Sequence, residues 1–522
     1  MTKPSPAGRH AAQSTTAGAV LALAILAALA SACVPGFSET QETHGSAAPV
    51  EAGTTVPVAP EPSTTVRDCS PRDPADNLVV DTAAPVLLSV EISRSLYGCA
   101  DEIGLAFAND SEAILTLAAR GIHGPLLLME SWSDAEPMTE IRRLAPERIV
   151  AAGFNEQDLE QRLAGFAVEW LPVNPEAALP HRDVRYERVW IVDSAEQAAV
   201  LGAVGRQIDA TAMTAVGDLR ALAPREREML REAARVELHA DLGLDAAWQL
   251  EVIRRGDELP GGGLLLFEPE RARRLVAMYG HPSTSQLGVL GEQDPSEGVV
   301  RLRSIAAGYD ADGSDVLLAF EVIATVASAR AGRDGDYSNE TALDEIRPWI
   351  EVAAANDMYV VLDLQSGRTD FLTQAKQYEE FLRLPHVGLA LDPEWRLGAD
   401  QVHLRQIGTV DAAEINEVVH WLADLVRAEA LPQKLLILHQ FRFSMITNRE
   451  LIETPAELAV LVHMDGQGPI ATKFSTWDAL TGEPDAYRFY WGWKNFYDED
   501  SPTPTAEQVL GLTPSPLYVS YQ

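Results

Sequence analysis

The sequence predicts an α/β protein in two folded parts, an N-terminal layered α/β domain followed by a C-terminal (β/α)8 barrel of the TIM type. Short apolar runs recur in the second half at residues 275–279, 316–323, 359–364, 387–391, 435–439, 459–463, 487–491 and 517–521. Amphipathic stretches at 340–355, 370–383 and 411–428 fall between consecutive runs, with apolar residues at three- and four-residue spacing. The runs also end in ionisable and aromatic residues, as in Val387-Gly388-Leu389-Ala390-Leu391-Asp392-Pro393-Glu394-Trp395. A parallel strand covered on both faces reads as an unbroken apolar run, so charges collect where it leaves the core. Eight such units over roughly 250 residues make a barrel whose sites lie at the C-terminal strand ends.

The elements follow in chain order. Lys3 and Arg9 precede an apolar stretch at 17–30, which reads as a secretion leader, too short and wrongly flanked for an ordinary membrane span. Its end, Leu29-Ala30-Ser31-Ala32-Cys33, resembles a bacterial lipobox, with Ala30 where leucine is usual. The resemblance implies a leader of residues 1–33 and a lipidated (palmitate-bearing) Cys33 that anchors the chain to the membrane by acyl chains; the alternative is ordinary secretion with cleavage nearby. Residues 34–75 are rich in Pro, Thr, Ala, Ser, Gly and Glu and read as a disordered tether. The two remaining cysteines, Cys69 and Cys99, are expected to pair outside the cytoplasm, closing a loop of about 30 residues worth roughly 3 to 4 kcal/mol.

The chain carries 77 acidic and 41 basic residues, a formal net charge of -36. Phosphate binding needs clustered Lys and Arg, so nucleic acid and anionic membrane surfaces are excluded as expected partners.

Residues 76–258 form the first folded domain. A helix opens at Asp110, residues 125–129 are a strand, 138–144 a second helix, and 146–153 a strand entering a glycine turn. The pieces Gly124-Pro125-Leu126-Leu127-Leu128 and Ile149 to Gly153 resemble the type 2 cell-wall-binding repeat of Gram-positive bacteria, over roughly residues 90–180. That likeness implies attachment to wall polymers, polysaccharide or peptidoglycan; the plainer alternative is a flavodoxin-like support for the barrel. A strand at 189–193 with the helix after it reads as a degenerate partner repeat, followed by long helices at 195–212, 226–242 and 246–255. Leu259-Pro260-Gly261-Gly262-Gly263 is the sharpest break, a flexible turn that separates this domain from the barrel at 264–522. No Gly-Lys-Ser/Thr follows, so it is not a phosphate loop.

The two-residue period of a strand puts Asp363 with Gln365, Asp392 with Glu394, and His463 with Asp465 on shared faces. Paired acids beside aromatics suit glycoside hydrolysis, in which a carboxylic acid protonates the leaving oxygen and a carboxylate meets the cationic transition state. Glu394 is the expected general acid, with Asp392 and Asp363 as base, nucleophile or electrostatic partner. Glu321, Gln365, His439, Asp465, Trp491 and Trp493 are expected to bind substrate. The Asp-x-Glu ending is similar to that of secreted barrel muramidases, whose two carboxylates both serve catalysis. Those enzymes also carry an aspartate on the first strand, where this chain reads Leu275-Val276-Ala277-Met278-Tyr279.

Each residue also has a structural reading: Asp392 capping a loop, Glu394 paired with Arg396 or Arg405, His439 in a core, and both tryptophans in packing. Two further functional readings stand beside glycosidase chemistry. His281, His439 and His463 with Asp363, Asp392 or Asp465 could hold a divalent metal, but no His-x-His or His-Glu-x-x-His spacing supports it. The other is a lipid-anchored surface protein whose barrel binds wall glycan without cleaving it. No metal or other cofactor is expected.

Overall fold

The computed structural model describes residues 67–72 and 84–522, except 181, 183, 184, 216, 244, 269 and 270. The leader, Cys33 and the tether up to Val66 lie outside the described residues. Arg67–Gln522 form one compact unit, and no helix among the described residues is long and apolar enough to cross a membrane.

Strands β1 (Glu102–Phe107), β2 (Leu126–Met129), β3 (Arg148–Ala152) and β4 (Ala167–Leu171) build a parallel sheet of order β2-β1-β3-β4. Strands β5 (Arg188–Val192), β6 (Ala210–Thr214) and β7 (Arg235–Leu238) build a second parallel sheet of order β6-β5-β7. In both sheets the first strand is central and the next two flank it. Local signals explain the helices between them: Asp110 caps helix Ser111–Arg120 by accepting from the Ala113 amide at 2.9 Å, and Gly121 ends it in the left-handed region at φ 77°. Cys69 and Cys99 are disulfide-bonded, which ties the segment Arg67–Arg72 to the end of helix Pro85–Leu96.

Two helical expectations are corrected. The stretch 195–212 is a helix only over Ala195–Gly205; Asp209 turns into the left-handed region at φ 49° and the chain enters β6. The stretch 226–242 is helix Pro224–Glu232 followed by β7. Neither break carries proline, and the apolar spacing continues across both, so the period alone did not reveal them.

The remaining long strands are β8 (Arg273–Gly280), β9 (Asp315–Ala327), β11 (Tyr359–Leu364), β12 (Val387–Leu391), β14 (Lys434–His439), β16 (Leu458–Met464), β17 (Tyr490–Asn495) and β18 (Tyr518–Tyr521). They pair in parallel in that order, and β8 pairs with both β18 and β9, so the sheet closes as an eight-stranded barrel consistent with the TIM type. Short strand β10 (Ser338–Glu340) folds back antiparallel on β9, and β13 (Val410–Asp411) pairs with β15 (Ile446–Thr447) outside the barrel. Seven of the expected runs coincide with barrel strands. The seventh in order lies later than expected: Ala486–Arg488 is a single 3-10 turn and the strand begins at Tyr490.

Alternation divides the barrel into two environments. Leu275, Leu317, Val361, Ile437 and Leu461 pack with one another inside, over Leu259, Leu266 and Phe267. Val276, Leu362, Leu438 and Trp493 belong instead to the larger cluster with Ile346, Val418 and Trp477 of the outer helices. The glycine turn is ordered. Gly261, Gly262 and Gly263 all have positive φ, and the carbonyls of Gly261 and Gly262 accept from Arg271 and Arg273. This pins the segment across the N-terminal strand ends, where the Leu266 amide donates to Gln433 at 3.1 Å. The large apolar cluster also takes in Val189 and Ile191 of the second sheet and Trp248 of helix Ala246–Arg255, whose ring centroid lies 4.6 Å from the guanidinium groups of both Arg220 and Arg427.

Gly492 is where β17 passes closest to its neighbour: a Cβ there would stand 2.5 Å from His463 Nδ1 and 2.9 Å from a Leu461 methyl. Gly492→Ala is expected to destabilise the protein by about 1 to 3 kcal/mol, the usual cost of overpacking a filled core; urea unfolding of the two proteins measures it.

Candidate active site

The charged half of the barrel interior begins one layer above the apolar one. Inward positions two residues further along each strand are Tyr279, Glu321, Asp363, His439, His463, Lys494 and Ser520, on strands whose lower inward residues are apolar. Register brings them together: Tyr279 is paired with Glu321, His439 with His463, and Lys494 with Ser520. A register shift in the pairing of β9 with β11 falls between Asp363 and Leu364. Such irregularities re-aim side chains beside sites, and here Gln365 donates its amide to Thr325.

His439 is the hub. Its Nδ1 lies 3.0 Å from Asp465 Oδ2 and its Nε2 lies 2.9 Å from Glu321 Oε1, while Tyr518 donates its hydroxyl to Glu321 Oε2 at 3.0 Å. Burial opposes a charge on the ring, but the bonds to Asp465 and Glu321 outweigh it and push the imidazole pKa well above its ordinary value. His439 is therefore an imidazolium donating from both nitrogens. His463, beside it, is held well below its ordinary value by burial and by His439, so it is neutral; its Nε2 meets Ser520 Oγ at 2.8 Å.

Asp363 is fully buried, with Oδ2 accepting from Tyr279 at 2.9 Å and Oδ1 without a hydrogen-bond partner. Burial raises it to about 6, against the pull of the His439 charge. Gln365 donates to the Tyr279 hydroxyl at 3.2 Å from above. Asp392 ends β12 and its Oδ1 accepts from the Glu394 amide at 3.1 Å, capping the short turn Pro393–Trp395. Burial raises its pKa well above the carboxylate range, His439 opposes this, and Asp363, Asp465 and Glu394 add to it. Glu394 is raised to about 7, by burial first and then by the neighbouring Asp465 carboxylate, with Lys494 acting in the opposite sense.

A cavity of about 690 Å³ opens over this layer. Asp392, Glu394, Asp465, Gln365, Tyr279 and Lys494 meet it with polar groups, and Trp395, Leu404, Ile407 and Phe441 give it apolar walls. The volume falls within the range of about 300–1,000 Å³ usual for small-molecule sites.

The structure thus gathers Glu394, Asp392, Gln365 and Asp465 at one mouth, and places Asp363, Glu321 and His439 in the layer beneath, where they do not line the cavity. Trp491 and Trp493 are not gathered there. They stand on the outer face of β17, each 5.8 Å from Trp477 between ring centroids, with 5% and 0% exposure, and are corrected from substrate platform to packing. The later start of β17 has the same consequence: inward positions pass to Gly492 and Lys494. Glu394 makes no ion pair with Arg396, which is bound to Glu414 at 2.8 Å. His281 bonds Thr341 at 3.1 Å and stands apart from His439 and His463. Since both ring nitrogens of His439 are engaged by carboxylates, it offers no lone pair to a metal. Sequence reasoning missed Tyr279, Trp395, Phe441 and Lys494; their strand-end positions were the available signal, but nothing distinguished them from packing residues.

No family model and no curated protein matches this chain, so the chemistry is read from the geometry.

Replacing His439 with leucine leaves Glu321 and Asp465 buried without their cation, an expected loss of about 3 to 5 kcal/mol. Because the folded pKa is raised, the stabilisation by the imidazolium is complete below its unfolded value of about 6.5. It fades as pH rises through the higher folded value. Urea unfolding of wild type and His439→Leu from pH 5 upward checks this through the difference between the two.

Proposed function

We propose that the barrel is a glycoside hydrolase that cleaves an extracytoplasmic polysaccharide, with Glu394 as general acid and Asp465 as the carboxylate facing the cationic transition state. The observation that carries it is that Glu394 and Asp465 line the same cavity, where burial and then the Asp465 charge raise the pKa of Glu394. A protonated and an ionised carboxyl flanking one bond are what glycosidic cleavage requires. Glu394 gives its proton to the bridging oxygen as the bond to the anomeric carbon breaks, and a water molecule completes the hydrolysis by adding to that carbon and returning a proton to Glu394. The Asp465 carboxylate, fixed by His439, stabilises the positive charge that develops on the ring. Asp392 has a positioning role, holding the turn that carries Glu394, and Asp363 supports the layer below through Tyr279. Trp395 and Phe441 offer apolar faces for sugar rings.

The lipobox-like leader extends the proposal to a lipid-anchored protein held outside the cytoplasm. The repeat-like residues 90–180 extend it to association with wall polymers. The shared order of the two N-terminal sheets, first strand central, supports two related units there.

On wall polysaccharide, Glu394→Gln is expected to lower kcat about 10²- to 10⁴-fold while leaving binding intact. Asp465→Asn should do likewise, and reducing-end release with glycan pull-down reads both effects. Binding by the wild type without turnover of any glycan would replace the hydrolase with a non-catalytic glycan-binding protein. Activity should fall as pH rises past about 7, where Glu394 loses its proton. Glu394→Gln should remove that limb from the residual rate. For the anchor, Cys33→Ala should abolish palmitate labelling and release the chain to the medium.

A further inference from the structure

Lys494 is the cavity residue that the proposed reaction does not use. Its side chain is 3% exposed, it lines the cavity, and its Nζ lies 3.3 Å from the ring centroid of Tyr279. Among the described residues no hydrogen-bond acceptor and no ion-pair partner meets that Nζ. The contrast with its neighbour is informative: Lys473, on the same wall, is neutralised by Asp500 at 2.6 Å and donates to the Lys494 carbonyl at 2.7 Å.

Glu394 feels the Lys494 charge without bonding to it, and the other nearby acids have commitments elsewhere. Glu321 and Asp465 are bonded to His439, Asp363 to Tyr279, and Asp392 to the Glu394 amide. Arg442, exposed at the rim of the same cavity, forms no ion pair with a carboxylate among the described residues. An ammonium that lines a cavity with no acceptor from the protein leaves its donors to whatever occupies that cavity. A neutral sugar hydroxyl would accept one hydrogen bond but leave the charge without a counterion, whereas a carboxylate supplies both.

We infer that Lys494, with Arg442 at the rim, forms a subsite for a carboxylate on the substrate, so that the cavity takes an acidic sugar in preference to a neutral one. The assignment rests on the glycan-cleaving reading for the sugar, and on Lys494 itself for the charge. Lys494 enters as a specificity residue: Tyr279 presents its ring face to the ammonium and its hydroxyl to Asp363, so the cation meets a ring and not a carboxylate at contact distance, and it lines the cavity. The carboxylate can be part of the ring, as in a uronic acid, or borne on an ether, as in muramic acid.

Isothermal titration calorimetry on the full chain at low ionic strength separates these. The probes are trimers of galacturonic, glucuronic and mannuronic acid, each against the neutral trimer of the same configuration, with the muramic-acid disaccharide of peptidoglycan as a separate arm. At least one acidic probe is expected to bind about tenfold tighter than its neutral counterpart, with the preference shrinking as salt is added. Lys494→Met should bring the ratio close to one and Lys494→Arg should retain most of it. Equal binding of acidic and neutral probes by the wild type, or no binding of any acidic probe, would overturn the assignment whatever the variants do. So would a preference that survives Lys494→Met. Acid-selective binding without cleavage of any probe would overturn the hydrolase and leave the subsite standing; cleavage of neutral glycans without acid selectivity would do the reverse.

Discussion

His439 lies fully buried with a carboxylate on each ring nitrogen, and the charged layer of the barrel depends on that arrangement. Two acids in a low-dielectric interior repel one another and lose hydration; one imidazolium between them answers both costs because it has a donor on each side. Its reach extends beyond the two bonds. Its charge opposes the rise in the pKa of Asp363 and Asp392, and it adds to the burial that holds neighbouring His463 well below its ordinary value. Glu394, at the edge of this field and beside Asp465, is left near 7. One side chain thereby counters the rise that burial imposes on three acids, Asp363, Asp392 and Glu394.

That arrangement requires the layering of the barrel. The inward positions of eight strands form stacked tiers, and the lower tier is closed by Leu266, Phe267 and the glycine turn pinned by Arg271 and Arg273. That packing is apolar and buried, and the upper tier lies next to the cavity. Rigid strands below and loops above are the division of labour expected of this architecture. Gly492 shows how tight the upper tier is: the strand that delivers Lys494 can approach His463 only where a residue lacks a side chain.

Most of the barrel was legible in the amino-acid order, for a physical reason. Strands covered on both faces must be apolar throughout, and residues 359–364 or 435–439 have no other economical reading. The strand at Tyr490 was misplaced because Gly492 and Lys494 interrupt its apolar run, and that interruption is the imprint of the site on the strand. Trp491 and Trp493, expected at the substrate, lie instead in the packing against Trp477. In the N-terminal part, the strands at Ala210 and Arg235 were hidden because alanine-rich and amphipathic sequence runs from helix into strand without a proline to mark the break. The convergence of Asp392, Glu394 and Gln365 was visible from strand ends. The depth of each was not, since sequence does not say that Asp363 lies one tier below Glu394, beneath Tyr279 and Gln365.

Depth is what redistributes the roles. Asp392 and Glu394 are two residues apart and were expected to act as a catalytic pair, yet the turn at Pro393 commits the Asp392 carboxyl to the Glu394 amide. An acid that caps a turn and is pushed toward its neutral form is poorly placed to serve as base. Asp465 is placed differently: it lines the cavity, its Oδ2 is bonded to the His439 imidazolium, and its Oδ1 has no hydrogen-bond partner. A carboxylate tied on one side to a buried cation keeps its orientation while the substrate's charge changes in front of it. The proposed pair therefore joins β12 to β16 across β14, whose own contribution to the tier is the imidazolium between Glu321 and Asp465.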